Sequence, residues 1–205
     1  MGGGGAGVLR RASRRGRGGY RGWGPFGPDR LITKSHKNVV FEFDGRPALA
    51  LYKQYLGEYA AGLPAAGLMF PLELQTEGGR VLRALLAVDE KEQSITFAGN
   101  MPMGSSARFM VGHIEDLIDG AVAAANAGAA KLGEPAAFSL VVSCNARRAV
   151  LKQRVDEEVE AVREVFGPGT ALAGFYSYGE IGPAREGSGA QLHNETMTIT
   201  TFRER

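Results

Sequence analysis

Two apolar runs near the C-terminus end in side chains that can do chemistry. They span residues 174–183 and 192–200, and a Gly/Ser-rich loop joins them. Strand ends that feed a loop are where binding and catalytic side chains tend to lie. A carboxylate and an imidazole at such a place suit either acid–base catalysis or ligand binding. The residues of interest are Tyr176, Tyr178, Glu180, His193 and Asn194.

Arg147 and Glu180 form the pair that best predicts a ligand. A guanidinium binds a carboxylate through two hydrogen bonds, and a carboxylate can hold an ammonium group. Both residues follow predicted strands, so together they would suit a zwitterion such as an amino acid. Tyr176, Tyr178 and Asn194 would line the same pocket. The alternative is an ordinary ion pair of Arg147 and Glu180 with each other or with solvent.

Cys144 stands between an apolar run and a predicted helix, with arginines close behind it. Such a position can favour a thiolate, so one hypothesis is a ligand-contacting or reactive thiol. A thiol enzyme that uses Cys144 and His193 is therefore an alternative, with Asn194 as the orienting group. The other interpretation is a small buried side chain at a strand end, since free cysteine is often buried.

Other chemistry has little support in the sequence. One cysteine and three scattered histidines give no metal-ligand spacing. No Gly-x-Gly element opens a helix after a strand, as dinucleotide binding would require. We therefore predict no cofactor and no metal, and a protein that is not an enzyme.

The charge of the chain is divided unevenly along its 205 residues. The net charge is +2, yet residues 1–22 hold six arginines, nine glycines and no acid. The rest of the chain has 18 basic and 22 acidic residues, so it has no general affinity for polyanions. We predict that residues 1–22 are a disordered basic tail, and nucleic-acid binding is expected at most through it.

No apolar run is long enough to span a membrane, and the N-terminus lacks the apolar core of a secretion signal. A single cysteine fits a reducing compartment, so we expect a cytoplasmic protein without a membrane partner.

The hydrophobic pattern predicts an α+β fold with largely antiparallel, mixed sheets and about three packing helices. The run 138–142 is nearly all apolar, which is typical of a strand buried on both faces. A strand, a helix and a strand in 138–178 permit one parallel crossover. Strands are predicted at 31–33, 39–43, 72–74, 81–88, 94–98, 107–111, 138–142, 171–178 and 196–202, and helices at 47–59, 114–131 and 152–166.

Four elements together resemble the FIST family, named for F-box and intracellular signal transduction proteins. They occur in the family's order and are Gly22-Trp23-Gly24-Pro25, Phe43-Asp44-Gly45-Arg46-Pro47-Ala48, Ser143-Cys144-Asn145-Ala146-Arg147, and Phe175-Tyr176-Ser177-Tyr178-Gly179-Glu180-Ile181 followed by Leu192-His193-Asn194-Glu195-Thr196-Met197-Thr198. The resemblance implies three parts, namely the tail 1–22, a remnant of the FIST N-terminal half at 23–46, and a FIST C-terminal domain at 47–205.

The resemblance also implies a function, which is a non-enzymatic sensory module that binds a small molecule, amino acids being one class. The expected partners are this ligand and either a signalling protein or the missing FIST N-terminal half. Cys144, Arg147, Tyr178, Glu180, His193 and Asn194 match motif positions. The F-box members of the family suggest a further alternative, which is a protein-interaction module without a ligand.

Overall fold

The structure is a computed structural model that describes residues 8–12, 22–132, 135–183 and 189–203. Helices and strands alternate in runs within this part of the chain, so the predicted α+β class is confirmed. The strands are β1 (Val8–Ala12), β2 (Trp23–His36), β3 (Val39–Phe43), β4 (Arg46–Pro47), β5 (Leu72–Thr76), β6 (Gly79–Arg83), β7 (Leu85–Asp89), β8 (Ser94–Phe97), β9 (Ser106–Gly112), β10 (Phe138–Cys144), β11 (Ala171–Ser177), β12 (Glu180–Pro183), β13 (Ala190–His193) and β14 (Met197–Arg203). The α-helices are α1 (Ala48–Leu56), α2 (Ile114–Leu132), α3 (Asn145–Leu151) and α4 (Val155–Phe166).

The larger sheet is antiparallel and curls upon itself. Its strand order is β6-β5-β9-β2-β3-β8-β7, and β4 pairs with β3. The two outermost strands, β6 and β7, follow each other in the chain with only Ala84 between them. Because they are covalently joined there, the sheet must bend until its two edges approach each other.

The break at Ala84 corrects one prediction. The run 81–88 was expected to be a single strand with Leu82, Ala84, Leu86 and Val88 on one face. The structure divides it into β6, which pairs with β5, and β7, which pairs with β8. The alternation of side chains therefore restarts at the break, and Leu86 is exposed.

The main core lies inside the curled sheet, which α1 closes on one side. Tyr52 of α1 is fully buried and donates its hydroxyl to the carbonyl of Phe70 at 2.6 Å. Its ring lies 5.5 Å from that of Phe109, which in turn contacts Phe43. Burial of these rings is the main force that holds α1 against the sheet.

The smaller sheet has the order β1-β14-β10-β11 and positions the candidate site. β10 and β11 are parallel, as the predicted crossover requires, and α3 and α4 form the connection between them. Ala121 and Ala125 of α2 and Val162 of α4 pack on Ile199 of β14. The two helices therefore cover one face of this sheet.

The opposite face of the smaller sheet is only partly covered by the described residues. Its side chains are half-buried or exposed, and Phe175 is 60% exposed. The prediction that 138–142 is buried on both faces is therefore wrong for one of them. In β14, β10 and β11 this face has no charged side chain, and the strand register arranges it in three rows: Phe202, Phe138 and Ala171; Thr200, Leu140 and Ala173; Thr198, Val142 and Phe175. In β1 the register sets Arg11 opposite Thr200.

The N-terminal tail contributes one strand. β1 pairs with β14 in an antiparallel register from Val8–Arg203 to Ala12–Ile199. The edge of β14 offers backbone hydrogen bonds to a segment of almost any composition, which explains how these five residues of the basic segment pair with it. Residues 1–7 and 13–21 lie outside the described part of the chain.

The longest described helix, α2, has 19 residues. Neither it nor any other helix in the described ranges is both long and apolar enough to cross a membrane.

Candidate functional site

The site residues converge where the parallel strands β10 and β11 end. Cys144 and Ser177 are the last residues of these strands and lie opposite each other. The backbone N–H of Cys144 donates to the carbonyl of Thr196 at 2.9 Å, just before β14 begins. The hairpin of β12 and β13 sets Glu180 opposite His193. Carboxyl ends of parallel strands are a common place for ligand sites, because the loops that follow them meet there.

Glu180 is buried and is held by two hydroxyl groups. Ser177 Oγ donates to Oε1 at 2.6 Å, and Thr196 Oγ1 donates to Oε2 at 2.8 Å. Burial raises the pKa of Glu180, while these hydrogen bonds and the charge of Arg147 act in the opposite direction. Glu180 therefore lies in a fixed orientation at the start of β12, three residues after β11 ends.

Asn194 and Glu195 have buried polar atoms without partners. Each residue is 1% exposed. The amide Nδ2 and Oδ1 of Asn194 and both carboxyl oxygens of Glu195 form no hydrogen bond with the described residues. Burial raises the pKa of Glu195 well above its ordinary value, and the nearby charge of Glu180 raises it further. An unpaired polar group inside a protein is costly, so such groups call for an explanation.

Trp23 contacts this cluster and can serve as its fluorescent probe. Its indole Nε1 donates to the backbone carbonyl of Glu195 at 3.0 Å, and the ring is buried. It is the single tryptophan of the chain. A change at Glu195 should therefore alter the fluorescence of one known residue.

Cys144 is buried beside the two carboxyl groups. Burial raises the pKa of its thiol to about 12, and Glu180 and Glu195 oppose ionisation as well, against a smaller lowering by the N–H groups of Ala146 and Glu195. A nucleophilic cysteine needs a thiolate near neutral pH. The geometry therefore favours the packing interpretation of Cys144 over the reactive one.

His193 is 1% exposed, and its Nε2 lies 2.8 Å from the carbonyl oxygen of Gly182. Because a carbonyl only accepts hydrogen bonds, this contact assigns a proton to Nε2. The contact joins β13 to β12 across the hairpin, so this ring nitrogen has a structural role.

Arg147 pairs with Glu158 of α4 and not with Glu180. Both side chains are almost completely buried. Arg147 Nε donates to Glu158 Oε1 at 2.6 Å, Nη2 donates to the same oxygen, and Nη2 also donates to the carbonyl of Leu117 at 2.8 Å. Ser143 Oγ donates to the other oxygen of Glu158 at 3.1 Å. The predicted pair of Arg147 and Glu180 is therefore absent as a direct contact, because Glu158 lies closer.

The two tyrosines are separated from the buried cluster. Tyr178 is 87% exposed. Tyr176 is partly buried on the helix-covered face of the sheet, where the guanidinium of Arg148 lies 5.6 Å from the centre of its ring. The structure thus brings together Cys144, Glu180, His193 and Asn194, whereas Arg147 and Tyr176 lie on the α4 side of the sheet.

The domain model described as FIST C domain matches residues 48–183. The chain belongs to the FIST C family. The match covers more than half of the chain and confirms the resemblance that the motifs indicated.

The relatives found among curated proteins are described as uncharacterized proteins. One from Mycobacterium bovis and others from Mycobacterium tuberculosis are 27% identical to this chain over 187 residues. The match includes 87% of this chain and 48% of each relative, so the chain spans about half the length of the relatives. No solved structure matches this FIST C chain significantly.

In the described ranges of this FIST C domain, no three His, Cys, Asp or Glu side chains are grouped so that they could hold a metal ion. The donor set that is present consists of two carboxyl groups, an amide and a thiol. These groups suit hydrogen bonding to an organic ligand.

Sequence reasoning missed Glu158 and Glu195. Glu158 lies three residues after Val155 and four before Val162, so it occupies the apolar stripe of α4. A charged residue within such a stripe is the signal of a buried partner. Glu195 had no comparable signal in the sequence. It lies in a loop with a left-handed backbone conformation (φ 61°), which no pattern of neighbouring residues indicated.

Proposed function

We propose that this FIST C domain binds a small polar ligand at the buried cluster of Glu180, Asn194 and Glu195, and that it reports the bound state to a signalling partner. The observation that supports this most is the set of four buried polar atoms of Asn194 and Glu195 that have no partner. Leaving a buried donor or acceptor unpaired costs about 1–3 kcal/mol. A ligand that supplies the missing hydrogen bonds would remove this cost.

The chemistry of the cluster suits an amino acid or a similar zwitterion. The carboxyl groups of Glu180 and Glu195 can accept hydrogen bonds from an ammonium group, and Nδ2 of Asn194 can donate to a carboxylate. Arg147, the predicted carboxylate partner, is committed to Glu158. We therefore assign the recognition of a ligand carboxylate to Asn194. A non-enzymatic role is consistent with the burial of Cys144.

Titration of Trp23 fluorescence tests this proposal directly. The compounds are amino acids and the matching amines and carboxylic acids, each of which lacks one charged group. For each compound, the Trp23 fluorescence is followed during the titration, and the melting temperature is measured separately. A ligand present at 100 times its dissociation constant should add about 2.7 kcal/mol to the free energy of unfolding. If no compound changes the fluorescence or the melting temperature, the proposal fails.

The variant Asn194→Leu tests whether the unpaired amide of Asn194 serves ligand binding or the stability of the fold. The leucine removes two unpaired polar atoms, so the free variant should be as stable as the native chain or more stable, yet it should lose ligand binding. Asn126→Leu is the matched control, because Asn126 is exposed on α2. A strongly destabilised Asn194→Leu variant would mean that the amide has structural partners and would count against the site.

A protein-interaction module is a second candidate function, supported by the face of the smaller sheet on which β10, β11 and β14 carry no charged side chain. Large apolar surfaces without charge on a soluble domain mark interaction sites. A photo-crosslinking residue at position 175 should capture a partner in cells, whereas the same residue at Leu86, which is equally exposed but on the other sheet, should not. Equal labelling from the two positions would refute an interface here.

A cytoplasmic location remains part of the proposal. It is supported by the single cysteine, which is buried and unpaired, as is usual in a reducing compartment.

A further inference from the structure

A groove separate from the buried cluster runs between α4 and the edge strand β11. Its volume is about 250 Å³. The apolar part of its lining comes from Val141, Val159, Leu172 and Met197, and Tyr176 adds a ring and a hydroxyl group. With about 30 Å³ for a group of the size of water, it has room for about eight heavy atoms. This is the size of a small organic molecule with an apolar body.

The lining of the groove contains one acidic and one basic side chain, and these differ in whether they are paired. Glu158 lies in the lining, but both of its oxygens are taken by Arg147 and Ser143. Arg163 also lines the groove, is exposed, and forms no ion pair with a described acidic side chain. A second guanidinium, that of Arg148, lies over the ring of Tyr176. Of the two charged side chains in the lining, Glu158 is paired and Arg163 is not, so the unpaired charge of the lining is positive.

We propose that this groove binds an amphipathic carboxylate, with its apolar chain against β11 and its carboxylate on Arg163. A guanidinium binds a carboxylate through two parallel hydrogen bonds, and apolar contact with the lining supplies the remaining affinity. Tyr176 is the one predicted ligand residue that belongs to this groove. The site is independent of the cluster around Asn194, so either site can exist without the other.

Calorimetric titration with octanoate, octanol and octylamine tests the proposal. Octanoate should bind at least tenfold more tightly than the two compounds that lack its negative charge. Arg163→Gln should weaken octanoate binding about tenfold and should leave the weak binding of octanol unchanged. Lys91→Gln, which removes one positive charge from an exposed turn, should bind octanoate like the native chain.

Val159→Trp provides a second variant that does not depend on charge. Val159 is 42% exposed at the side of the groove, so the larger ring can enter the groove without disturbing the core. It should abolish octanoate binding, whereas Asn194→Leu should leave it intact.

Results of three kinds would overturn the proposal. The first is no octanoate binding at millimolar concentrations. The second is equal binding of octanoate and octanol, or an Arg163→Gln variant that binds octanoate normally. The third is self-association of the chain that Val159→Trp abolishes without any octanoate binding, which would assign the groove to a second copy of the chain.

Discussion

Replacement of Glu158 by glutamine tests whether Arg147 is a structural residue or a ligand-binding one. The substitution keeps the size and one acceptor oxygen of the side chain and removes its charge. Arg147, which is 2% exposed, would then carry a buried positive charge without a counter-ion. If Arg147 instead served a ligand, its loss of Glu158 would have little effect on the free chain.

The expected loss of stability follows from the contacts. Glu158 is 0% exposed and accepts hydrogen bonds from Arg147 Nε, Arg147 Nη2 and Ser143 Oγ. Breaking a buried ion pair by removing one partner typically costs about 3–5 kcal/mol. For a domain of this size, about 2–4 °C of melting temperature corresponds to each kcal/mol. The variant should therefore melt roughly 6–20 °C below the native chain.

Urea unfolding followed by circular dichroism gives the free energy directly. The matched control is Glu157→Gln, one residue earlier on the same helix. Glu157 pairs with Arg154 in solvent, with side chains about 40% exposed, so its replacement should leave the urea midpoint nearly unchanged.

A double variant checks the physical cause. Arg147→Met combined with Glu158→Leu removes both charges, so it should recover much of the stability that Glu158→Gln loses. The reasoning would be refuted if Glu158→Gln and Glu157→Gln had the same small effect, because Arg147 would then not depend on Glu158.

Three other predictions concern residues in or beside the smaller sheet. Burial raises the pKa of Glu195 above its ordinary 4.5, so the folded chain keeps a proton that the unfolded chain releases, and the resulting stability declines as the pH rises above about 4.5. Glu195→Gln should therefore gain stability over the native chain between about pH 4.5 and 8 in urea titrations, and exposed Glu160→Gln should not. Because burial raises the pKa of the Cys144 thiol to about 12, a disulfide reagent at about pH 8 should label it only at the rate of unfolding; fast labelling of the folded chain would contradict this. Gly174→Ala should unfold the domain or cost about 3 kcal/mol or more in a thermal melt, because a Cβ there would lie 2.0 Å from the carbonyl oxygen of Val141, whereas exposed Gly169→Ala has nothing within 4 Å.

The order and class of most elements could be predicted from local patterns. The spacing of apolar residues over 114–131 predicted α2 almost to the residue, and the strand–helix–strand order gave the parallel pair β10 and β11. These features depend on residues close together in the chain. Sequence reasoning also placed Cys144 and Glu180 each at the end of a predicted strand.

The features that could not be predicted depend on long-range contacts. Ala84 breaks a strand because β6 and β7 belong to opposite edges of a curled sheet, and no local residue pattern records that closure. The pairing of β1 with β14 uses backbone groups that every residue has. The ion pair of Arg147 with Glu158 depends on how α4 packs against the sheet, which local sequence does not show.

Although Arg147 forms an ion pair with Glu158, its charge still acts on the candidate site. Its positive charge lowers the pKa values of both Glu180 and Glu195, against the larger effect of burial that raises them. Because Arg147 forms no direct hydrogen bond with either carboxyl group, its influence is a through-space electrostatic interaction. Loss of the Arg147 charge should therefore raise both pKa values further and favour the neutral carboxyl groups. Under the proposed function, a ligand ammonium group would then meet weaker acceptors, so Arg147 would influence the affinity for the proposed ligand without contacting it.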